Sequence, residues 1–225
     1  MTQDILDIYT DYLISQNQYA TATGLANLLD SQISHDRITR FLNGKELGSK
    51  DLWQYVKENV RKIEKEKRGV LIIDDSIEEK PYTDENGIVC WHFSLAKGRC
   101  IKGINLLSSL VRYDDIAFPI GYEVILKDLY FSDVKTRKEK RKSSLTKNQH
   151  FRALVKQAMS NQVKFDDVLA DNWFGAKDNR EFIHYELKKL FVFGMKNNRL
   201  IAFSEEKRKS IIISIRLASK MEKKG

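Results

Sequence analysis

Apolar residues in the first 68 positions recur at helical spacing, as in Ile5, Ile8, Tyr12 and Leu13, while Gly is confined to Gly24, Gly44 and Gly48 and Pro is absent. The pattern predicts an all-α module over residues 1–68. Within it, TATGLANLLDSQISHDRITRFLNG sets two short amphipathic stretches around a tight connection. Ala22, Leu25, Ala26, Leu28 and Leu29 form the expected inner face of the first helix. Ser34 serves as N-cap of the second, Ile38, Phe41 and Leu42 face inward, and Asn43-Gly44 ends it. That is the layout of a helix-turn-helix, whose second helix would present Ser34, His35, Arg37, Thr39 and Arg40 to a major groove. A generic helical hairpin with ordinary surface charge is the competing reading. The stretch WQYVKENVRKIEKEKRG continues as a charged helix to Gly69, where the domain boundary is expected.

From Val70 the pattern becomes strand-like. An apolar run, Val70 to Ile73, precedes a polar loop, Glu78 to Asn86, and then the segments Ile88–Ser94, Ile101–Tyr113 and Phe118–Leu126. Ala96 to Arg99 reads as a hairpin turn, and successive strands on short loops are expected to be antiparallel neighbours. The basic run SDVKTRKEKRKSSLTKNQ reads as a loop or the start of a helix. Phe151 to Ser160 has helical spacing, FDDVLADNWFG predicts a short strand ending in Asp171, and Lys177 to Leu190 is helical again. LFVFGMKNNRLIAF predicts strand, polar turn and strand. The order defines a mixed α/β domain over residues 69–225.

Composition adds a partner. The chain has 225 residues and a net charge of +8, unevenly placed: residues 1–36 carry five acids and no Lys or Arg, whereas residues 135–225 carry 23 bases and ten acids. A polyanion, nucleic acid first, is the implied partner. Arg137, Lys138, Lys140, Arg141 and Lys142 in the basic run would track a phosphate backbone; solvation of a surface loop is the plainer alternative. No early apolar run is long enough to cross a bilayer, and MTQDILDIYTDYL lacks the features of a signal peptide, so a cytoplasmic protein without a membrane partner is expected. Cys90, His92 and Cys100 form C-x-H-x7-C, but no second ligand pair completes a zinc site, and the two cysteines read as small residues on neighbouring strands.

Candidate chemistry lies in two acids, Asp74 and Asp171, each where an apolar strand runs out, the edge at which open α/β sheets build sites. If the strands are neighbours, the carboxylates converge. Hard oxygen ligands of this kind suit Mg²⁺ or Mn²⁺, and a pair of such ions can clamp both oxygens of a phosphodiester displacement. Which of Asp74 and Asp75 serves is a question of strand parity, because consecutive side chains point to opposite faces; Asp74 is favoured because the order hydrophobic-Asp-x-Ser resembles that of RNase H-like strands at this position, and Asp75 stays as second choice. VLIIDDS also resembles the first strand of a response-regulator receiver domain. That fold needs a helix directly after the acids, where this chain has Pro81, a polar TDENG and another strand.

The stretches LIIDDSIEEKPYTDENGIVCWHFSLAKGRCIKGINLLSSLVRY, IAFPIGYEVILKD and VLADNWFGAKDN together resemble the DDE transposases of bacterial insertion sequences, which have an RNase H-like catalytic core. The resemblance runs from about Val70 to Phe203 and rests on the combination of the acid pair, Lys80, Trp91-His92, Lys102-Gly103 and Asp171. It implies an RNase H-like mixed sheet with flanking helices behind the N-terminal helix-turn-helix-like domain, and divalent metal. It also implies cut-and-paste chemistry, in which water hydrolyses the bond at a transposon end and the freed 3′ hydroxyl attacks target DNA. Asp74, or Asp75, would be the first catalytic carboxylate and Asp171 the second; Lys80, His92 and Lys102 would touch DNA or support the site, with structural roles as the equal alternative. The implied partners are terminal repeats and target DNA, with a homodimer admitted and the nucleoid as location. The family's third carboxylate is a Glu on a helix well beyond the second Asp. Glu181 and Glu186 follow Asp171 too closely, and Glu205 and Glu206 fall in a polar run, so a C-terminally incomplete core with impaired cleavage is expected, the product of a frameshift or premature stop. The alternative is an inactive DNA-binding protein that competes with full-length transposase.

Overall fold

The computed structural model describes residues 5–17, 19–44, 47–64, 69–194, 200–201 and 211–212. The chain divides into two compact units, Met1–Gly48 and Ser49–Gly225.

The first unit is helical throughout, with α1 (Ile5–Ser15), α2 (Ala22–Leu28) and α3 (His35–Gly44). Thr21 caps α2 by accepting from the Gly24 amide at 2.9 Å, and Ser34 Oγ accepts from the Arg37 amide at the start of α3. Tyr12, Leu25, Ala26 and Ile38 form the buried centre, with Ile8, Ala22, Leu29 and Ile33 packed against them. Leu28, expected on the inner face, is instead exposed. On a helix it lies about 100° from the direction shared by Ala22, Leu25 and Leu29, so it cannot join them. Leu42 is likewise exposed, whereas Phe41 is half-buried. Asp30 and Ser31 adopt left-handed backbone conformations, φ 48° and 60°, and turn the chain between α2 and α3.

The second unit begins with α4 (Ser49–Ile63), twenty residues ahead of the expected boundary. Its apolar face, Trp53, Val56, Val60 and Ile63, packs into the core of the sheet domain. The periodicity announced the helix; nothing in it told which unit the apolar face would meet. Ser49 Oγ fixes the start by accepting from the Tyr122 amide at 2.9 Å and from Gln157 Nε2 at 2.8 Å. Glu64 fixes the end: its buried carboxylate accepts from Tyr113 Oη and the Lys164 amide and pairs with Arg61. Gly69 follows because a Cβ there would sit 2.4 Å from the Lys164 carbonyl oxygen.

The strands are β1 (Val70–Glu79), β2 (Val89–Ser94), β3 (Arg99–Tyr113), β4 (Ile116–Val124), β5 (Leu129–Ser132) and β6 (Glu139–Lys142); α5 (Lys147–Ser160), β7 (Asp167–Ala170), α6 (Lys177–Glu181) and β8 (Leu190–Phe193) follow. The main sheet runs β2-β3-β1-β7-β8, with β4 also on β3. The long β3 pairs with β2 through Arg99–Ile104 and with β4 through Leu106–Tyr113, both antiparallel. It also runs antiparallel to β1, while β1, β7 and β8 are parallel neighbours. This is the expected mixed sheet with flanking helices. The expected strand meander is present, its hairpin turn closed by Gly98 at φ 60°. One face carries Leu71, Ile73, Leu107 and Val111 against Phe151, Leu154, Val155 and Ala158 of α5.

Two expectations are corrected. The basic run does hold loop residues and, at Lys147, the start of α5, but its middle, Glu139–Lys142, is strand β6, which pairs with β5 in a two-stranded antiparallel ribbon. Cation–aromatic packing across the ribbon favours it, with the Arg141 guanidinium 4.5 Å from the Tyr130 ring centre and the Lys142 ammonium 5.7 Å from that of Phe131. The helix expected over Lys177–Leu190 stops early, as α6 passes into a single π-helical turn, Phe182–Glu186, before β8 opens parallel pairing with β7. The second strand expected after β8 is present as β9 (Leu200–Ile201), which pairs with β10 (Ile211–Ile212). The polar turn expected between β8 and β9 lies mostly outside the described residues, as do Glu205 and Glu206.

Candidate functional site

Strand β1 does not run out at the acids. It continues to Glu79 against β3, whereas its parallel neighbour β7 stops at Ala170, opposite Ile73. From Asp74 onward one edge of β1 is therefore without its parallel partner, and the chain leaving β7 turns across that opening at Asp171. The convergence of two strands expected from sequence is thus made by the end of β7 alone. Asp74, Asp75 and Asp171 line one cavity of about 730 Å³, together with His92, Ser94, Lys97, Lys127, Lys147 and Trp173.

Alternation along β1 separates the adjacent acids. Leu71, Ile73 and Asp75 share the face covered by α5, while Asp74 is exposed on the other side. Asp74 Oδ1 accepts from the Asp75 amide at 2.9 Å. Asp75 is half-buried, and its Oδ2 accepts from Asn105 Nδ2 at 3.4 Å and from the Lys147 ammonium. Asn105, fully buried on β3, lies on the same face.

Asp171 is held by a tight turn. Its Oδ1 accepts from the Trp173 amide at 2.9 Å, and its carbonyl oxygen accepts from the Phe174 amide. Phe174 is buried and stacks on Phe151 of α5, with ring centroids 5.1 Å apart. Below the turn lies Asn179, wholly buried and fully used: Nδ2 donates to the Phe174 carbonyl and to Asn148 Oδ1, both at 2.9 Å, and Oδ1 accepts from Arg152 at 2.7 Å. The N-terminal part of α5 thereby anchors both acids, through Lys147 to Asp75 and through Asn148 and Arg152 to the Asp171 turn. A capping box between Thr146 and Gln149 fixes that end of the helix.

The electrostatics agree. Burial pushes the Asp171 carboxyl above the ordinary aspartate range, and the negative charges of Asp75 and then Asp74 push it further, against hydrogen bonds from the turn that lower it. Asp75 is the stronger of the two perturbers. His92, on β2, is held down to about 4 by burial and by Lys127 and Lys147, against the pull of Asp75, and its Nε2 has no hydrogen-bond partner among the described residues. It is neutral at pH 7.

The other sequence candidates lie elsewhere. Lys80 and Lys102 are on the sheet face opposite Asp75, by the register that pairs β1 with β3, and Lys80 pairs with Glu78 at 3.2 Å. Ser34, His35, Arg37, Thr39 and Arg40 are exposed at and along α3. Arg137, Lys138, Lys140, Arg141 and Lys142 sit in the tip and second strand of the β5–β6 ribbon, where Lys140 pairs with Asp133 and Arg141 approaches Glu85 at 3.9 Å. Glu181 pairs with Lys177 and, like Glu186, does not line the cavity. Cys90 is buried and Cys100 exposed on adjacent strands. Among the described residues, no three His, Cys, Asp or Glu side chains close into a ready-made metal cage. Sequence reasoning passed over Lys147, Asn105, Trp173 and Asn179, for which only the quoted runs KNQ, INLL, DNWF and AKDN gave any sign.

The three acids thus lie together at the edge of a mixed sheet, beside the N-terminus of α5. The profile of the DDE superfamily endonucleases matches residues 1–208, and the chain belongs to that family. Among solved structures, the Mos1 transposase paired-end complex with left transposon end aligns at 12% identity and a TM-score of 0.28, over 85% of this chain and 58% of that one. The Mos1 strand transfer complex aligns at 11% identity and the same TM-score, over 85% and 57%. The chain thus spans less than two thirds of the Mos1 chains it matches. No curated protein matches it.

Proposed function

We propose that the protein binds double-stranded DNA and that the cluster of Asp75, Asp171 and Asp74 is the centre at which a divalent cation, Mg²⁺ or Mn²⁺, supports phosphodiester cleavage and strand transfer at transposon ends. The observation that carries this reading is the convergence of Asp74, Asp75 and Asp171 on one open cavity, with the raised carboxyl of Asp171 in support. Such a cluster stores repulsion that a hard divalent cation relieves, so the donor set fits the ion the family implies. When bound, the cation supplies charge neutralisation at the phosphoryl oxygens and a nucleophile acidic enough to act at neutral pH.

The chain's own residues have separable parts. Asp75 and Asp171 are the working pair. Asp75 is the more influential neighbour of Asp171, and its Oδ2 is oriented by Asn105 and Lys147 while Oδ1 has no partner among the described residues. Asp74 adds negative field from the solvent side. Lys97 and Lys127, on the cavity wall, draw the phosphate backbone in. In the helical unit, the exposed face of α3 reads DNA through Arg37, Thr39 and Arg40, with Ser34 and His35 at its start; the basic ribbon, with Arg137 and Lys138 at its tip, tracks phosphates. Lys80 and Lys102 serve the opposite sheet face.

Supercoiled plasmid incubated with the full chain in Mn²⁺ tests this directly. Nicking that requires the cation, stops with chelator and is lost in Asp171→Ala while DNA retention stays unchanged supports the reading. A second reading, DNA binding without cleavage, has in its favour that no three acids close into a metal cage among the described residues. Retention of plasmid with no nicking under any divalent cation is its signature.

A further inference from the structure

Lys147 is the only cation with a direct contact to the three acids among the described residues, and nothing in its sequence setting marks it. Its ammonium lies on Oδ2 of Asp75, both side chains being mostly buried at 24% and 18% exposure. The lysine is fixed rather than loosely paired. It opens α5 directly after the Thr146 cap, and the Trp173 ring beside Asp171 lies 5.9 Å from its ammonium. Three carboxylates and one ammonium leave the cluster with two net negative charges.

Resting on the metal-site reading above, we infer that Lys147 is the resident counter-cation of the acid cluster and a positioning residue for Asp75, so that a divalent ion enters this site in competition with the lysine charge. The ammonium offsets part of the repulsion among Asp74, Asp75 and Asp171 while the site waits for metal, and Asn105 helps it keep Oδ2 engaged. The same positive charge lowers the cluster's attraction for a divalent ion. A residue whose role were only to hold the fold would not act in that direction: its loss would loosen the site and weaken metal binding.

The test is Mn²⁺ binding to the full chain without DNA, followed by the electron paramagnetic resonance of free Mn²⁺, with no cleavage step involved. Lys147→Met is expected to bind Mn²⁺ roughly tenfold more tightly than the parent, the order that removal of one unit charge near a divalent ion gives in a half-exposed site. Lys147→Arg, which keeps the charge, is expected to stay within about threefold of the parent. Lys147→Met binding unchanged or weaker, with Lys147→Arg holding parent affinity, overturns the inference. Asp75→Asn and Asp171→Asn separate the two levels of the account. If both leave Mn²⁺ affinity at the parent value, the metal-site reading itself fails; if both lose Mn²⁺ while Lys147→Met shows no gain, only the role of Lys147 fails.

Discussion

Asp171 carries the tension between stability and chemistry in this molecule. Its carboxyl is raised by burial and by Asp75 and Asp74, so the folded chain binds the proton more tightly than the unfolded one. Its own contribution to stability is therefore fully present below the ordinary aspartate range and is lost as pH rises through the raised value, leaving the ionised residue a burden at neutral pH. Asp171→Asn is expected to raise the melting temperature of the metal-free protein by about 1–3 °C, measured by calorimetry at pH 7, and to remove the extra stabilisation that Mn²⁺ gives the parent. A fall in melting temperature would show that the carboxylate is held by favourable contacts instead. His92 has the opposite sign. Depressed to about 4 by burial, Lys127 and Lys147, it favours the fold when neutral, a contribution complete above pH 6.5 and lost as pH falls toward 4. His92→Gln should flatten the loss of stability across that window in acid titration followed by circular dichroism.

At the scale of elements, the site exists because neighbouring strands differ in length. β1 runs six residues beyond its last pairing with β7, which leaves an edge for Asp171 to face. That difference was illegible in the sequence. The run VLII announced a strand, but a polar DDSIEE looked like its end, since Asp and Glu are poor strand formers and only β3 keeps them extended. Parity was equally out of reach: only with the strand continued does Asp75 share the face of buried Leu71 and Ile73, with Asp74 on the other. What was legible is what periodicity encodes locally, namely the helices around Leu25, Ile38 and Phe151 and the antiparallel β2, β3 and β4. The ownership of α4 and the ribbon fold of the basic run depend on distant partners such as Tyr113, Gln157 and Tyr130, which no local window contains. Two variants probe these joints. Tyr113→Phe removes hydrogen bonds to Glu64 and the Lys164 carbonyl and is expected to cost about 1–3 kcal/mol in urea unfolding. Asn179→Leu leaves the Phe174 carbonyl, Asn148 and Arg152 without their partner and should destabilise the fold by a similar amount, about 1–3 kcal/mol; retained stability would mean that the turn is held by the Phe151–Phe174 stack alone.

For the molecule as a whole, charge is divided by task. No helix among the described residues is long and apolar enough to cross a membrane. The net charge of +8 is concentrated where the ribbon and the later chain lie, while the cavity of Asp74, Asp75 and Asp171 keeps its acids. Such a surface predicts DNA affinity that falls steeply with salt. Replacing Arg137, Lys138 and Lys142 by Gln should lower the slope of log affinity against log salt by up to about 3 on duplex DNA, measured by fluorescence anisotropy; an unchanged slope would remove the ribbon from the DNA surface.

The account stands on Asp75 and Asp171 acting together. The most direct measurement is the single-turnover rate of plasmid nicking in Mn²⁺ by Asp74→Asn, Asp75→Asn and Asp171→Asn, each compared with the parent. The account predicts that the rates of Asp75→Asn and Asp171→Asn fall together by about a hundredfold or more, the scale of losing a group that acts in the transition state, and that Asp74→Asn falls by less than about tenfold. Nicking that survives in Asp75→Asn but vanishes in Asp74→Asn would contradict it and return the first carboxylate to the solvent-facing acid.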